Sequence, residues 1–121
     1  MRFLPIVGRV LFAFIFLVAA PRHFTSEGIR HAADLGVPFP SILVPLSGVL
    51  AIAGGLSVAT GYRATWGAFA LAVFLVPVTL GMHAFWRIDD PVTRHVQQAM
   101  FAKNLSMLGA ALLVAFYESI Q

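Results

Sequence analysis

The sequence has no cysteine and few charged residues, and both absences restrict what the chain can be. Its 121 residues include eight Lys or Arg and five Asp or Glu, so that charged residues make up only 11%. A soluble domain has about 25% charged residues, and a small domain must cover a large surface relative to its volume. Hydrophobic residues make up 60%, with a mean hydropathy of +0.88. These values exclude a disordered chain and predict one membrane-embedded domain over residues 1–121.

The absence of cysteine excludes dithiol redox chemistry, structural disulfides and thiolate metal sites. A net charge of +3 would suit nucleic acid, but the basic residues are widely separated and form no run. They lie at the ends of apolar segments, as is typical of membrane proteins. We therefore expect the lipid bilayer, and not nucleic acid, as the partner of this chain. The patterns of a dinucleotide site, a phosphate loop and a catalytic triad are also missing from the sequence.

Four long apolar segments lie between the charged residues. A transmembrane helix needs about 20 residues to cross the hydrocarbon core. Backbone groups in lipid must be satisfied within the protein, which favours helices, and the alternating pattern of barrel strands is absent. The sequence therefore predicts an all-α protein, a four-helix transmembrane bundle. The four predicted helices cover about residues 3–22, 41–60, 64–86 and 91–117.

The connections between these helices add detail. The second connection, residues 61–63, is so short that the second and third helices must form an antiparallel hairpin. Asp90 is a good N-cap residue, and Pro91 suits the first position of a helix, where its missing N–H is not needed. We expect the fourth helix to begin outside the membrane and to enter it near Met100.

Small residues recur at four-residue intervals in three helices and predict the surfaces through which the helices pack. These stripes are Ser47, Ala51, Gly55 and Ala59 in the second helix, Ala64, Ala68 and Ala72 in the third, and Ala102, Ser106 and Ala110 in the fourth. Pro45 and Pro77 lie inside the second and third helices, where each removes a backbone donor and should bend its helix. A bend at Pro77 either shapes a cavity near His83 or leaves none.

His83 is the only ionisable residue of the third apolar segment. An ionisable group at membrane depth is costly and indicates a functional site. The imidazole could bind a quinone carbonyl, relay a proton or ligate a metal. The alternative is a histidine that is simply hydrogen-bonded at the membrane interface, with Trp86 in the aromatic belt beside it.

Lys103 and Asn104 lie near the start of the fourth helix, on the same side of the membrane as the end of the third. They could therefore face one polar pocket together with His83. A cation and an amide there would hold an anionic or carbonyl-bearing headgroup. The alternative for Lys103 is a side chain that extends to the interface. The predicted ligand-binding residues are His83, Trp86, Lys103 and Asn104.

Two other groups of polar residues lie near the ends of the first helix. Arg9 is expected to extend to the interface; the alternatives are a buried polar cluster or a lipid phosphate. His23, Glu27 and His31 follow at four-residue spacing and would share a helix face, as metal ligands do. Gly28 weakens a helix here, and Arg22 and Arg30 crowd the site. An interfacial amphipathic segment explains this spacing equally well. We assign no metal ligand and no catalytic residue.

Several short blocks of residues, in a fixed order, carry a family resemblance. The blocks are Gly36-Val37-Pro38, Leu43-Val44-Pro45-Leu46-Ser47-Gly48, Gly54-Gly55-Leu56, Thr60-Gly61-Tyr62-Arg63, Met82-His83-Ala84-Phe85-Trp86, Lys103-Asn104-Leu105 and Gly109. In these blocks the chain resembles the DoxX family of small bacterial and archaeal membrane proteins. The resemblance implies a four-helix membrane bundle. Ser47 stands where many members have a glutamate, and Pro21-Arg22-His23 replaces a small residue and a lysine.

The resemblance also implies a class of function. The family takes its name from a subunit associated with a thiosulfate:quinone oxidoreductase and a terminal quinol oxidase. The resemblance therefore implies a redox-associated, multi-pass subunit of the inner (plasma) membrane. Such a subunit would bind a quinone-like apolar molecule or dock a catalytic partner, and would not be a complete enzyme alone. The alternative is a non-catalytic structural or assembly accessory subunit of a membrane complex.

Overall fold

The structure is a computed structural model that describes residues 2–121 and consists of helices. The helices are α1 (Leu4–Ala19), α2 (Ser26–Asp34), α3 (Pro40–Thr60), α4 (Ala64–Met82) and α5 (Pro91–Ser119), with 3₁₀ turns at Ala20–Phe24 and Phe85–Arg87. Four segments are long and apolar enough to cross a membrane, namely Leu4–Phe24, Pro40–Thr60, Ala64–Arg87 and Pro91–Ser119. The predicted all-α, four-helix transmembrane bundle is confirmed.

The short helix α2 lies in the polar connection between the first two membrane segments. Its N-cap is Thr25, whose hydroxyl accepts a hydrogen bond from the amide of Gly28 and donates one to the carbonyl of Arg22. Gly28 is buried against that carbonyl, so any side chain here would collide with backbone. α2 packs on α3 and on the preceding 3₁₀ turn. The connection is therefore an ordered amphipathic helix attached to the bundle.

Helices α3 and α4 form the centre of the bundle. Their buried faces include the predicted small residues Ala51 and Gly55 on α3 and Ala64, Ala68 and Ala72 on α4. A Cβ atom on Gly54 would lie 2.9 Å from Leu71 and 3.0 Å from the carbonyl oxygen of Gly67. Close backbone approach of this kind is how helices associate where lipid supplies no hydrophobic drive.

The connection between α3 and α4 is a tight turn. Gly61 adopts the left-handed conformation, with φ of 81°, which glycine enters without steric cost. The hydroxyl of Ser57 donates to the carbonyls of Tyr62 (2.7 Å) and Arg63 (3.1 Å), which holds the turn against the end of α3. This turn fixes the hairpin and, with it, the register of the two central helices.

The two outer helices pack on the central pair, α1 on α3 and α5 on α4. The predicted packing stripe of α5 is wrong, because Ala102 and Ser106 are exposed. The buried residues of α5 are Asn104, Ala111 and Ala115. An amide is costly to expose to hydrocarbon, whereas alanine is not, and the Ser106 hydroxyl is already satisfied by the Lys103 carbonyl. The polar requirement of Asn104 therefore outweighs small-residue spacing in setting the rotation of α5.

Arg9 does not extend to the interface, so that expectation is wrong. Its Nη1 lies 3.3 Å from Oε1 of Glu118 near the end of α5, and both side chains are mostly buried. Ionisable groups inside membrane segments commonly pair with one another, since an opposed charge reduces the cost of leaving water. The pair connects α1 to α5 at the end of the bundle that holds the turn between α3 and α4.

Helix α5 begins at the predicted N-cap. The Asp90 carboxylate accepts hydrogen bonds from the Thr93 amide (2.9 Å) and hydroxyl (2.7 Å), and these bonds lower the pKa of Asp90 below its ordinary 3.8. The stabilisation of α5 by this cap is therefore fully present above the ordinary pKa of 3.8, and it is lost as the pH falls through the lowered pKa.

At 29 residues, α5 is about 43 Å long at 1.5 Å per residue, which is longer than the hydrocarbon core is thick.

Replacing Asp90 by alanine should fray the first turn of α5. The amide of Thr93 then loses its acceptor, so its hydrogen exchange should accelerate several-fold, while exchange in the middle of α5 stays unchanged. Hydrogen-exchange mass spectrometry in detergent micelles measures this. Asp90→Asn is the matched control, because asparagine caps nearly as well as aspartate. Equal acceleration in both variants would contradict the capping role.

Candidate functional site

A half-open cavity of about 1020 Å³ lies between the helices at the end of the bundle opposite the Arg9–Glu118 pair. Its walls come from the second half of α1, from α2, from the first half of α3, from the second half of α4 and from α5. Most lining residues are apolar, and a few polar side chains interrupt them. This volume is at the upper end of the range, about 300–1,000 Å³, of pockets that bind small molecules.

Three of the four residues predicted to bind a ligand line this cavity, namely His83, Lys103 and Asn104. Trp86 does not line it. Its ring packs edge-on against Phe85 and Phe101, with ring centres 5.3 Å and 5.7 Å apart, and its side chain is half exposed.

Asn104 is the most deeply placed polar residue of the cavity. It is only 4% exposed, yet its side-chain amide has no hydrogen-bond partner among residues 2–121. The amide atoms are not completely enclosed by protein, so they are accessible from the cavity. Buried polar groups are almost always hydrogen-bonded, because an unmade bond costs about 1–3 kcal/mol. The amide therefore offers a donor and an acceptor to a molecule in the cavity.

His83 lies at the C-terminal end of α4, where its side chain meets α5. Its Nδ1 is 2.7 Å from Oε1 of Gln97, and the carbonyl oxygen can only accept, so Nδ1 donates. In the neutral imidazole this leaves Nε2 as an acceptor. Gln97 was not among the predicted residues, and its position about two turns before the middle of α5 gave no signal of this contact.

A second histidine, His23, also lines the cavity. Its Nδ1 is 2.8 Å from the hydroxyl oxygen of Ser47, and that hydroxyl donates to the carbonyl of Val44 at 2.6 Å. The serine oxygen therefore accepts from His23, whose ring also packs against Phe74 with centres 5.6 Å apart. The fold thus puts His23 and Ser47 in contact at the wall of the cavity.

Pro77 lies in the wall that α4 contributes. Its ring cannot donate to the carbonyl of Val73, and both residues line the cavity. The helix continues through Pro77 to Met82. A cavity is therefore present beside Pro77, and its shaping by a bend at Pro77 stays a prediction.

Three cationic side chains also line the cavity and are exposed where it opens, namely Arg22, Arg87 and Lys103. Arg22 and Arg87 were not predicted as site residues. Each follows an apolar segment, which is the ordinary position of a basic residue in a membrane protein. Only the fold could therefore show that both line the same cavity.

The possible metal ligands are not gathered into a metal site. Within residues 2–121 no group of three or more His, Asp or Glu side chains could hold an ion. His23 lies on the 3₁₀ turn and bonds to Ser47, whereas Glu27 and His31 lie on α2. Their four-residue spacing is thus divided between two elements, and the amphipathic helix accounts for it.

Comparison with known proteins gives one match. The DoxX family model matches residues 4–84, which is more than half of the chain and covers α1 to α4. The match ends after His83 and before Lys103 and Asn104. No curated protein and no solved structure matches the chain.

Proposed function

The chain belongs to the DoxX family of membrane proteins, and from this premise we propose that it is a redox-associated membrane subunit binding a quinone-like apolar molecule. The binding site is the cavity that His83, Lys103 and Asn104 line. The proposal places the protein in the plasma membrane, with a redox enzyme as its catalytic partner. The chain would not be a complete enzyme alone, because its sequence shows no electron carrier and its loops cannot form a second domain.

The polarity of the cavity supports a ligand of this class. Small-molecule sites are mostly apolar with a few well-placed polar groups, and the walls here fit that description. A quinone is a flat apolar ring with carbonyl oxygens, usually on a hydrocarbon chain. The apolar walls would hold the ring and chain, and the polar groups would orient the carbonyls.

The unpartnered amide of Asn104 is the observation that carries the proposal. Its N–H can donate to a quinone carbonyl, and its oxygen can accept from the hydroxyl of the reduced form. Nε2 of His83 is a second acceptor suited to such a hydroxyl. The site therefore offers hydrogen bonds to both the oxidised and the reduced form of one molecule.

Replacing Asn104 by leucine tests the proposal. Leucine keeps the branched arrangement of heavy atoms but removes the donor and the acceptor, so the affinity for a short-chain 1,4-naphthoquinone should fall about tenfold. Binding can be followed by quenching of tryptophan fluorescence in lipid nanodiscs, with empty nanodiscs as the blank. Quinone retained from native membranes, measured by solvent extraction, should fall in parallel.

Ser106→Ala is the matched control, because Ser106 lies on the same helix, is exposed and does not line the cavity. It should bind as the unchanged protein does. If the unchanged protein neither binds the naphthoquinone nor retains a quinone, the proposal fails. A role as a non-catalytic assembly subunit would then be the better account.

A further inference from the structure

The cavity has an uneven distribution of charge, from which we infer that its ligand carries an anionic headgroup on an apolar body. The inference rests on the proposed function, because it names the class of molecule that the same cavity would bind. Arg22, Arg87 and Lys103 line the cavity, and no Asp or Glu is among its lining residues. An uncharged quinone would not need three cations.

These cations have no protein counter-charge. The one salt bridge within residues 2–121 joins Arg9 to Glu118, at the opposite end of the bundle. Acidic residues do occur on the cavity side of the bundle, but they are exposed and none lines the cavity or pairs with a cation there. These acids are Glu27, Asp34, Asp89 and Asp90.

The surroundings of the cations strengthen their effect on an anion. Charges interact more strongly beside a low-dielectric region than in water, and the walls below the cations are apolar. Hydrogen bonds between a cation and an anionic oxygen are about twice as strong as neutral ones. Arg22 comes from the end of the first membrane segment and Lys103 from α5, so an anion between them would join helices that are distant in sequence.

The buried amide of Asn104 is an independent indication of where the headgroup lies. It follows Lys103 directly in α5 and is buried, whereas Lys103 is exposed. Both residues line the cavity, so one ligand could contact the exposed cation with its headgroup and the buried amide with a polar group of its body. The chemistry fits two sources, a free amphiphilic acid or the headgroup of an anionic phospholipid.

A pair of ligands that differ only in charge tests the inference. One is a 2-hydroxy-3-alkyl-1,4-naphthoquinone, which is ionised at neutral pH, and the other is its 2-methoxy ether with the same alkyl chain. In nanodiscs of phosphatidylcholine, tryptophan quenching should show that the anion binds about tenfold more tightly than the ether at low salt. The preference should shrink as salt rises.

Neutral variants of the cations locate the effect. Arg22→Gln, Arg87→Gln and Lys103→Met should each reduce the preference for the anion about twofold, and the triple variant should abolish it. The affinity for the ether should fall far less than the affinity for the anion in each of these variants. Arg94→Gln is the matched control, since Arg94 is an exposed cation on the same side that does not line the cavity. It should leave the preference intact.

The outcomes separate this inference from the proposed function. Equal binding of both ligands would overturn the anionic headgroup and leave quinone binding standing, whereas binding of neither would overturn both. Nanodiscs of phosphatidylglycerol identify the source. A loss of affinity for the anionic naphthoquinone there that exceeds the loss in its partitioning into empty nanodiscs of the same lipid would support a phospholipid headgroup as the natural occupant. A loss no larger than that of the partitioning would support a free acid.

Discussion

Replacing Gly67 by leucine should separate α3 from α4 and lower the free energy of unfolding by about 3 kcal/mol or more. A Cβ atom built on Gly67 would collide with the side chain of Ser57 and would lie 3.1 Å from the carbonyl oxygen of Gly54. Backbone cannot move aside as a flexible side chain can. Displacing Ser57 would also break its hydrogen bonds to Tyr62 and Arg63. The midpoint of unfolding in SDS, followed by circular dichroism, measures the loss.

Gly109→Leu is the matched control for this substitution. Gly109 is also a glycine within a membrane-spanning helix, but no atom lies within 4 Å of a Cβ built there. It should unfold at the same SDS concentration as the unchanged protein, or at a slightly higher one, since glycine weakens helices. Similar losses at Gly67 and Gly109 would refute the role of close packing between α3 and α4.

Removing either partner of the Arg9–Glu118 pair should be nearly as damaging. Arg9→Leu leaves the carboxylate of Glu118 mostly buried without its counter-charge, and Glu118→Leu does the same to the guanidinium. Breaking fully buried pairs costs about 3–5 kcal/mol and exposed pairs about 0–1. For this partly exposed pair we expect a loss of about 2 kcal/mol from each single variant, measured by the same unfolding assay.

The double variant distinguishes an ion pair from two independent contacts. Leucine at both positions removes the unpaired charge, so Arg9→Leu/Glu118→Leu should be more stable than either single variant. A double-mutant cycle gives the coupling energy directly. If the two losses simply add, the pair does not stabilise the contact between α1 and α5.

The helices could be predicted because lipid enforces them. Length and apolar content identify a membrane span, and the cap at Asp90 and the short turn after Thr60 locate two helix ends. Which face of α5 packs inward could not be predicted from small residues, since burial of the Asn104 amide decides it. The pairing of Arg9 was also missed, because Glu118 is 109 residues away and no local pattern connects them.

Part of the candidate site could be predicted for a related reason. His83, Lys103 and Asn104 are conspicuous as polar residues in apolar sequence, and the hairpin order puts them on one side of the membrane. Arg22 and Arg87 have the ordinary appearance of interfacial cations. Both lie in the 3₁₀ turns that follow α1 and α4, and these turns place them at one cavity. Hydropathy alone does not predict such turns.

The three-residue turn between α3 and α4 also has a consequence for the order of assembly. Contacts between neighbours in sequence require little loop closure, so this hairpin can form early. The Arg9–Glu118 contact closes a loop of nearly the whole chain and must come late, after α5 has entered the membrane. A contact that forms late is absent from the folding transition state, so its loss chiefly accelerates unfolding. We therefore expect loss of the pair joining α1 to α5 to shorten the lifetime of the folded bundle more than it slows its formation.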